Sequence, residues 1–336
     1  MLFRSKVFDL AAKLKDPVNL SIGQPDFDVP EVAKEAAINA IKAGFNRYTV
    51  TQGTAPLREK IATGIKREFP HWTQATGGSQ DGFETLITSG VSGGLLLALL
   101  TVVGPGDEVL IPDPYFVMYR HLVTLAGGKP VYIDTYPDFQ TTAARIEPLI
   151  TSRTKLLLFN TPSNPTGVVA TDRVCKEVVE LCEKKNILLL SDEIYDEFCY
   201  EKIQRHGQTR CPSPAAYSSN ILLLRGFSKT YGMTGWRLGH AIGPKAIIEQ
   251  MTKLQQYSFV CAPSMVQVAG VEALDVVMTQ PVERYQTKRD RVVKKLSGVY
   301  ELTTPGGAFY AFPKVPEHLG ITASQFVERA IARSLL

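Results

Sequence analysis

ETLITSGVSGGLLLALLTVVGPGDEVLIPDPYFVMYRHLVTLAGGKPVYID, residues 84–134, is the stretch whose reading decides the fold. A short apolar run at 85–88 leads into a strongly apolar helical pattern at 92–103, and a second run at 108–111 leads into another at 115–126. A third run at 131–134 precedes the helical pattern at 143–150. Outward from there the rhythm continues: 155–160 leads into 171–185, and 187–191 and 221–224 are further apolar runs that read as buried strands. Strands alternating with helices in this way predict an α/β fold, a mostly parallel sheet covered by helices on both faces. In such folds ligands collect at the carboxyl ends of the strands, so functional residues are sought there.

The last third of the chain has a different texture. Residues 245–256, 264–277 and 282–296 read as helices, 300–313 is Gly- and aromatic-rich like strands with turns, and 324–336 is a final amphipathic helix. The expected organisation is a large α/β domain over residues 31–244 and a smaller α+β domain built from 1–30 and 245–336.

Composition narrows the function classes. A chain of 336 residues, 44% hydrophobic and 21% charged, matches a soluble globular protein. Thirty-seven basic against 33 acidic residues leave a net charge of +4, too small and dispersed for a nucleic-acid footprint, so an anionic cofactor or small substrate is the better match. Five cysteines without CxxC spacing suggest neither a disulfide framework nor a zinc site, and no metal is expected. Residues 1–16 lack the unbroken apolar stretch of a secretory signal, and the most apolar segment, 95–103, is far short of the ~20 residues that span a bilayer. The expectation is a cytoplasmic protein with no membrane partner.

Several strand ends carry chemistry. The small residues of Ser89-Gly90-Val91-Ser92-Gly93-Gly94 let backbone N–H groups meet an anion at a helix start, a plausible phosphate cradle. Taken alone, the segment reads more simply as a tight βα turn; it is neither a dinucleotide nor a Walker signature. Pro112-Asp113-Pro114-Tyr115-Phe116 presents rings able to stack on a planar ligand or to anchor a helix start in the core. Asn164, between prolines in Pro162-Ser163-Asn164-Pro165-Thr166-Gly167, offers amide donors and an acceptor at a fixed angle. Asp192, in Ser191-Asp192-Glu193-Ile194-Tyr195, is a carboxylate at a buried strand end, costly unless a cation or donors meet it, or else a helix cap. Lys229 follows another strand end amid small and apolar residues, where desolvation lowers its pKa and makes it a nucleophile toward a carbonyl. Arg237, eight residues on, suits a phosphate.

Jointly, Gly23-Gln24-Pro25-Asp26-Phe27, Asn164-Pro165-Thr166-Gly167, Ser191-Asp192-Glu193-Ile194-Tyr195 and Ser228-Lys229 with Gly235-Trp236-Arg237 resemble the class I aminotransferases, which are fold type I pyridoxal-phosphate enzymes of the aspartate aminotransferase kind. The motifs stand in the family's order over nearly the whole chain. The resemblance implies that Lys229 binds pyridoxal 5'-phosphate as a Schiff base and shuttles a proton, that Asp192 pairs with the pyridinium nitrogen, and that Tyr195 and Asn164 hold the ring's 3′ oxygen. Phe116 matches the ring that stacks on the cofactor; Val91, Ser92 and Arg237 match the phosphate cradle; Gly23 matches the glycine whose backbone lies against the substrate. Tyr48 matches the tyrosine that reaches the partner subunit's phosphate, which implies a homodimer with shared active sites. The implied reaction moves an amino group between a small L-amino acid, aspartate-type first, and a 2-oxo acid by a ping-pong mechanism. A C–S β-lyase or a non-catalytic relative would keep the same cofactor residues.

One departure concerns the end of the chain. In the family a further stretch follows the position of Leu336 and carries the arginine that clamps the substrate α-carboxylate, whereas neither Arg329 nor Arg333 stands in a matching motif. The resemblance therefore implies a small domain truncated at its C-terminal part, whether through an incomplete sequence or a naturally short protein, with poor transamination by a chain ending there.

Overall fold

The structure, a computed structural model, describes residues 23–73, 82–205 and 208–333; residues 1–16 and the last three residues of the expected final helix lie outside it. The strands in chain order are β1 (Phe83–Ser89), β2 (Glu108–Asp113), β3 (Lys129–Asp134), β4 (Thr154–Asn160), β5 (Leu188–Asp192), β6 (Ile203–Arg205), β7 (Gln208–Arg210), β8 (Leu222–Gly226) and β9 (Leu238–Pro244). Among the described residues seven of them form one sheet in the order β1-β9-β8-β5-β4-β2-β3, while β6 and β7 pair separately. The neighbours β3/β2, β2/β4, β4/β5 and β5/β8 run parallel, and β9 runs antiparallel to both β1 and β8.

The central strands are largely apolar because they are buried on two faces, whereas the edge strand β3 leaves Lys129, Tyr132 and Asp134 exposed. In β4, Leu157 and Phe159 join one core while Leu156 and Leu158 join the other; Leu189 and Leu190 of β5, and Leu223 and Leu224 of β8, divide in the same way. The period of two thus sorts a continuous leucine run onto both sides. On one side lies the helix Asp172–Lys185, whose start is capped by the Thr171 side chain accepting from Val174 N and whose end turns through the left-handed Asn186. On the other lies Gly90–Val102, an apolar helix that also packs on the helix Lys245–Gln256.

Besides the unexpected short pair β6–β7, two features differ from the sequence reading. The strand β9 was not expected: it follows Arg237 directly and fits between β1 and β8, a placement that depends on pairing with residues more than 140 positions away. Residues 300–313, expected as strands, form no strand; their contribution is an isolated bridge between Gly307 and Cys199. The reason lies in their hydrogen bonds, which go to two different neighbours. Gly306 O accepts from Tyr200 N (2.8 Å) and Ala308 N donates to Phe198 O (2.7 Å), but Gly307 N donates to Gly167 O (2.8 Å), so no regular ladder continues.

Candidate active site

A cavity of about 560 Å³ opens at the carboxyl ends of β1, β4, β5 and β8. It is lined by Val91, Ser92, Phe116, Asn164, Asp192, Tyr195, Lys229, Arg237 and Gly23, residues singled out from six separate parts of the chain. Tyr48 is not among the lining residues and is 84% exposed. Arg329 and Arg333 are exposed at the C-terminal helix Ala323–Ala332 and likewise do not line it.

One end of the cavity could hold an anion. Gly90 begins the apolar helix with φ +66°, and the guanidinium of Arg237 lies so close that a Cβ on Gly90 would stand 2.6 Å from Nη2. Arg237 itself is left-handed (φ 53°) and donates from Nη1 to Thr234 O at 3.0 Å. Gly239 closes the arrangement from below, since a Cβ there would meet the Gly90 carbonyl carbon at 2.6 Å. A helix start and a guanidinium therefore point at the same space.

Asp192, the last residue of β5, is 3% exposed. Its Oδ2 accepts from the Tyr119 hydroxyl at 2.8 Å and its Oδ1 from Ile194 N at 3.3 Å. Burial pushes the carboxyl up to about 6, against the opposing pull of those two hydrogen bonds. Lys229 lies in the single helical turn Phe227–Thr230 that follows β8, and its Nζ donates to Gly23 O at 2.6 Å. Burial, helped by the nearby Arg237 charge, lowers its pKa to about 8, with Asp192 acting in the other direction. The ammonium sits 5.9 Å from the centres of both the Tyr195 and Phe309 rings.

The roof is a hydroxyl pair. The Tyr195 and Tyr310 oxygens are 2.6 Å apart, and Asn164 Nδ2 donates to Tyr310 at 3.3 Å. Burial and Tyr310 together push the Tyr195 phenol well above its ordinary value. Gly167 (φ +72°) lets the arm carrying Tyr310 approach, because a Cβ there would stand 2.6 Å from Pro305 and 2.7 Å from Tyr310 O. The loop bearing Gly23 is fixed from outside by Tyr285, whose hydroxyl accepts from Asp26 N at 2.9 Å, and by a Lys288–Asp26 ion pair.

Three contributors escaped the sequence reading. Asn160 ends β4 and ties it to its surroundings, donating to Asp192 O (2.8 Å) and accepting from Asn164 N (2.7 Å). A polar residue closing an apolar strand was the available signal. Tyr119 is three residues past Phe116, its ring edge-on to that residue at 5.6 Å. Tyr310 had no local signal at all, since only the approach of the 305–310 arm to Gly167 brings it in.

Comparison with known proteins places this arrangement. The family model for aminotransferase class I and II matches residues 15–336. A putative aminotransferase, YugH, of Bacillus subtilis is 37% identical over 335 residues, covering 98% of this chain and 84% of the relative. A probable aspartate aminotransferase of Methanocaldococcus jannaschii is 36% identical, covering 93% of this chain and 82% of that one. Among solved structures, a Thermus thermophilus aspartate aminotransferase mutant superposes with a TM-score of 0.87 at 32% identity, over 99% of this chain and 86% of the other. Sequence, sheet and cavity agree: the chain belongs to the class I and II aminotransferase family, has the fold type I architecture, and is an enzyme of amino-group transfer.

Proposed function

We propose that the cavity holds pyridoxal phosphate and that the chain exchanges an amino group between an aspartate-type L-amino acid and a 2-oxo acid in ping-pong order. The residues fit the cofactor. Gly90, Gly239 and Arg237 form an anion cradle too tight for a Cβ, a buried carboxylate stands at Asp192, and the same cavity holds an amine made less basic by burial. Arg237 and the N–H groups at Val91 and Ser92 would hold the phosphate, Asp192 the ring nitrogen, Tyr195 and Asn164 the 3′ oxygen, and Phe116 a ring face. When bound, the cofactor supplies an electrophilic carbon for the amino group and a ring that takes up electrons.

The chain's own groups then do the proton work. Lys229, with a pKa near 8, is poised to take the proton from the substrate Cα and return it to the other carbon. The Gly23 carbonyl, 2.6 Å from Nζ, orients that amine. Asp192, held by Tyr119, keeps the proton on the ring nitrogen. The aspartate-type preference rests on the relatives' names alone.

The wider assembly reading is a homodimer in which Tyr48 serves the partner's site. It is supported by a shared exposed face: hydrogen bonds from Ser264 to Phe45 O, Gln267 to Thr49 and Gln255 to Thr51 O tie residues 45–51 to the stretch beyond Gln255, leaving Tyr48, Val50 and Tyr257 exposed. We assign residues 31–244 to a cofactor-binding domain and 1–30 with 245–336 to a small domain. Cysteine thiols such as the buried Cys182 suit a reducing cytoplasm.

The observation that carries the reading is the meeting of Lys229, Asp192 and Arg237 in one cavity. The test is to incubate purified protein with 2-oxoglutarate and each common amino acid, and to measure glutamate. Glutamate from aspartate supports the reading; release of pyruvate and ammonia from cysteine conjugates without glutamate overturns it in favour of β-elimination.

A further inference from the structure

We infer that Arg225, with Glu193 and Glu68, is a positioning clamp that fixes the strand end bearing Asp192 relative to the strand end bearing Lys229. The inference rests on the roles assigned above to those two residues. Glu193 directly follows Asp192 and Arg225 precedes Lys229 by four residues, yet neither lines the catalytic cavity; their side chains lie on the other face.

The geometry is a double fork. Arg225 donates from Nε (3.1 Å) and Nη2 (2.8 Å) to Glu193 Oε2, and from Nη1 (2.7 Å) and Nη2 (3.0 Å) to the two oxygens of Glu68. Glu68 ends the helix Ala55–Glu68, so the guanidinium joins β5, β8 and that helix at one point. The other oxygen of Glu193 accepts from Ser191 Oγ (2.8 Å) and Ser213 Oγ (2.6 Å), and Glu193 N donates to Leu224 O (2.9 Å). Asp196 lies 3.4 Å from Nε, and the Phe69 ring stands 5.6 Å beneath the guanidinium. The three main side chains are nearly buried, at 11%, 2% and 12% exposed for Arg225, Glu193 and Glu68.

Such a buried cluster is a poor device for stability, because desolvation offsets much of the attraction and an apolar replacement commonly does as well. Its particular property is direction. A planar guanidinium held by two carboxylates permits one relative placement of the groups it joins. Catalytic groups need placement within roughly 0.5 Å, and an error of about 1 Å costs on the order of a hundredfold in rate. The clamp joins the two strand ends whose separation sets the distance between the proton-transferring amine and the carboxylate that holds the ring.

The test uses the cofactor-loaded enzyme and three variants: Arg225→Met, Arg225→Lys and Glu68→Gln. Measured are kcat, KM for the amino acid, the pH midpoint of the cofactor's absorbance change, and the melting temperature. Arg225→Met is expected to lower kcat about 10- to 100-fold with KM changed less than about threefold, and to move the absorbance midpoint by at least about 0.3 pH unit. Arg225→Lys keeps the charge but not the fork, so it should fold and still lose kcat at least about threefold. Glu68→Gln should show the mildest form of the same pattern. Parent-like kcat and absorbance in folded Arg225→Lys would overturn the clamp, as would a loss of kcat accompanied by a comparable rise in KM and a lowered melting temperature with the absorbance midpoint unmoved. A parent enzyme with no cofactor absorbance would instead overturn the site assignment on which the clamp rests.

Discussion

Replacing Tyr119 by Phe removes one hydroxyl and little else, and its effect follows from one hydrogen bond. That hydroxyl donates to Asp192 Oδ2 at 2.8 Å, both groups being buried. A hydrogen bond to a charged group contributes about 1.5–3 kcal/mol, and each pKa unit corresponds to about 1.36 kcal/mol, so losing it raises the Asp192 pKa by about 1–2 units. The starting value is about 6, because burial already outweighs the hydrogen bonds. In Tyr119→Phe the carboxyl is therefore expected to titrate about 1–2 units higher, near neutrality. The ionised carboxylate is the form that pairs with a protonated ring nitrogen, so cofactor affinity weakens below the Asp192 pKa of the free protein. Fluorescence titration of cofactor-free protein with pyridoxal phosphate from pH 5 to 9 should show affinity breaking near about 6 in the parent and about 1–2 units higher in the variant. The cofactor's own ionisations are common to both curves and drop out of the difference. Coincident breakpoints would refute the reasoning, since Tyr119 would then not be the donor that keeps Asp192 charged. The folded carboxyl pKa lies above its ordinary 3.8, so the group's stabilising contribution is full below that value and is lost as pH rises through about 6.

Lys229→Ala is expected to abolish borohydride trapping of the cofactor and to cut turnover by several powers of ten, checked by mass spectrometry and single-turnover kinetics. In cofactor-free parent protein, the rate of Schiff-base formation with added pyridoxal phosphate should rise with pH and level off above about 8, where the amine becomes neutral; a rise continuing to the ordinary lysine range, near 10.5, would show that burial does not lower it. Gly239→Ala places a Cβ 2.6 Å from the Gly90 carbonyl carbon and 2.7 Å from Val91 N, both backbone, so the helix start must move; phosphate grip should fall at least about tenfold, read as the pyridoxal phosphate dissociation constant. Tyr48→Phe should leave Asp192 and Lys229 titrations unchanged while weakening cofactor retention in the dimer, measured by dialysis and sedimentation; full retention by an active monomer would remove the shared-site reading.

The parts legible in advance were those whose signal is local. A leucine run between turn residues reads as a strand wherever it ends up, because burial on two faces demands an apolar side chain at every position, and β2, β4, β5 and β8 all follow from that rule. The residues at their carboxyl ends follow from it too, since the strand run itself marks where Asp192 and Lys229 must emerge. Arg237, Asn164 and Gly23 were read from short motifs whose turns are set by the glycines and prolines beside them.

What stayed hidden depended on partners distant in sequence. Leu238–Pro244 becomes a strand because β1 and β8 leave a slot between them, and 300–313 fails to become one because its backbone groups are divided between Gly167 and Phe198–Tyr200. Tyr310 reaches Tyr195 and Asn164 across more than a hundred residues. Glu193, Arg225 and Glu68 each read as ordinary charges in isolation, yet packing brings them into one buried cluster. Sequence by itself determined the elements and the chemistry each strand end could offer, because propensity and burial pattern act over a few residues. Tertiary structure alone decided which distant hydroxyls and charges meet them, because a hydrogen bond depends on distance in space and leaves no trace in the spacing along the chain.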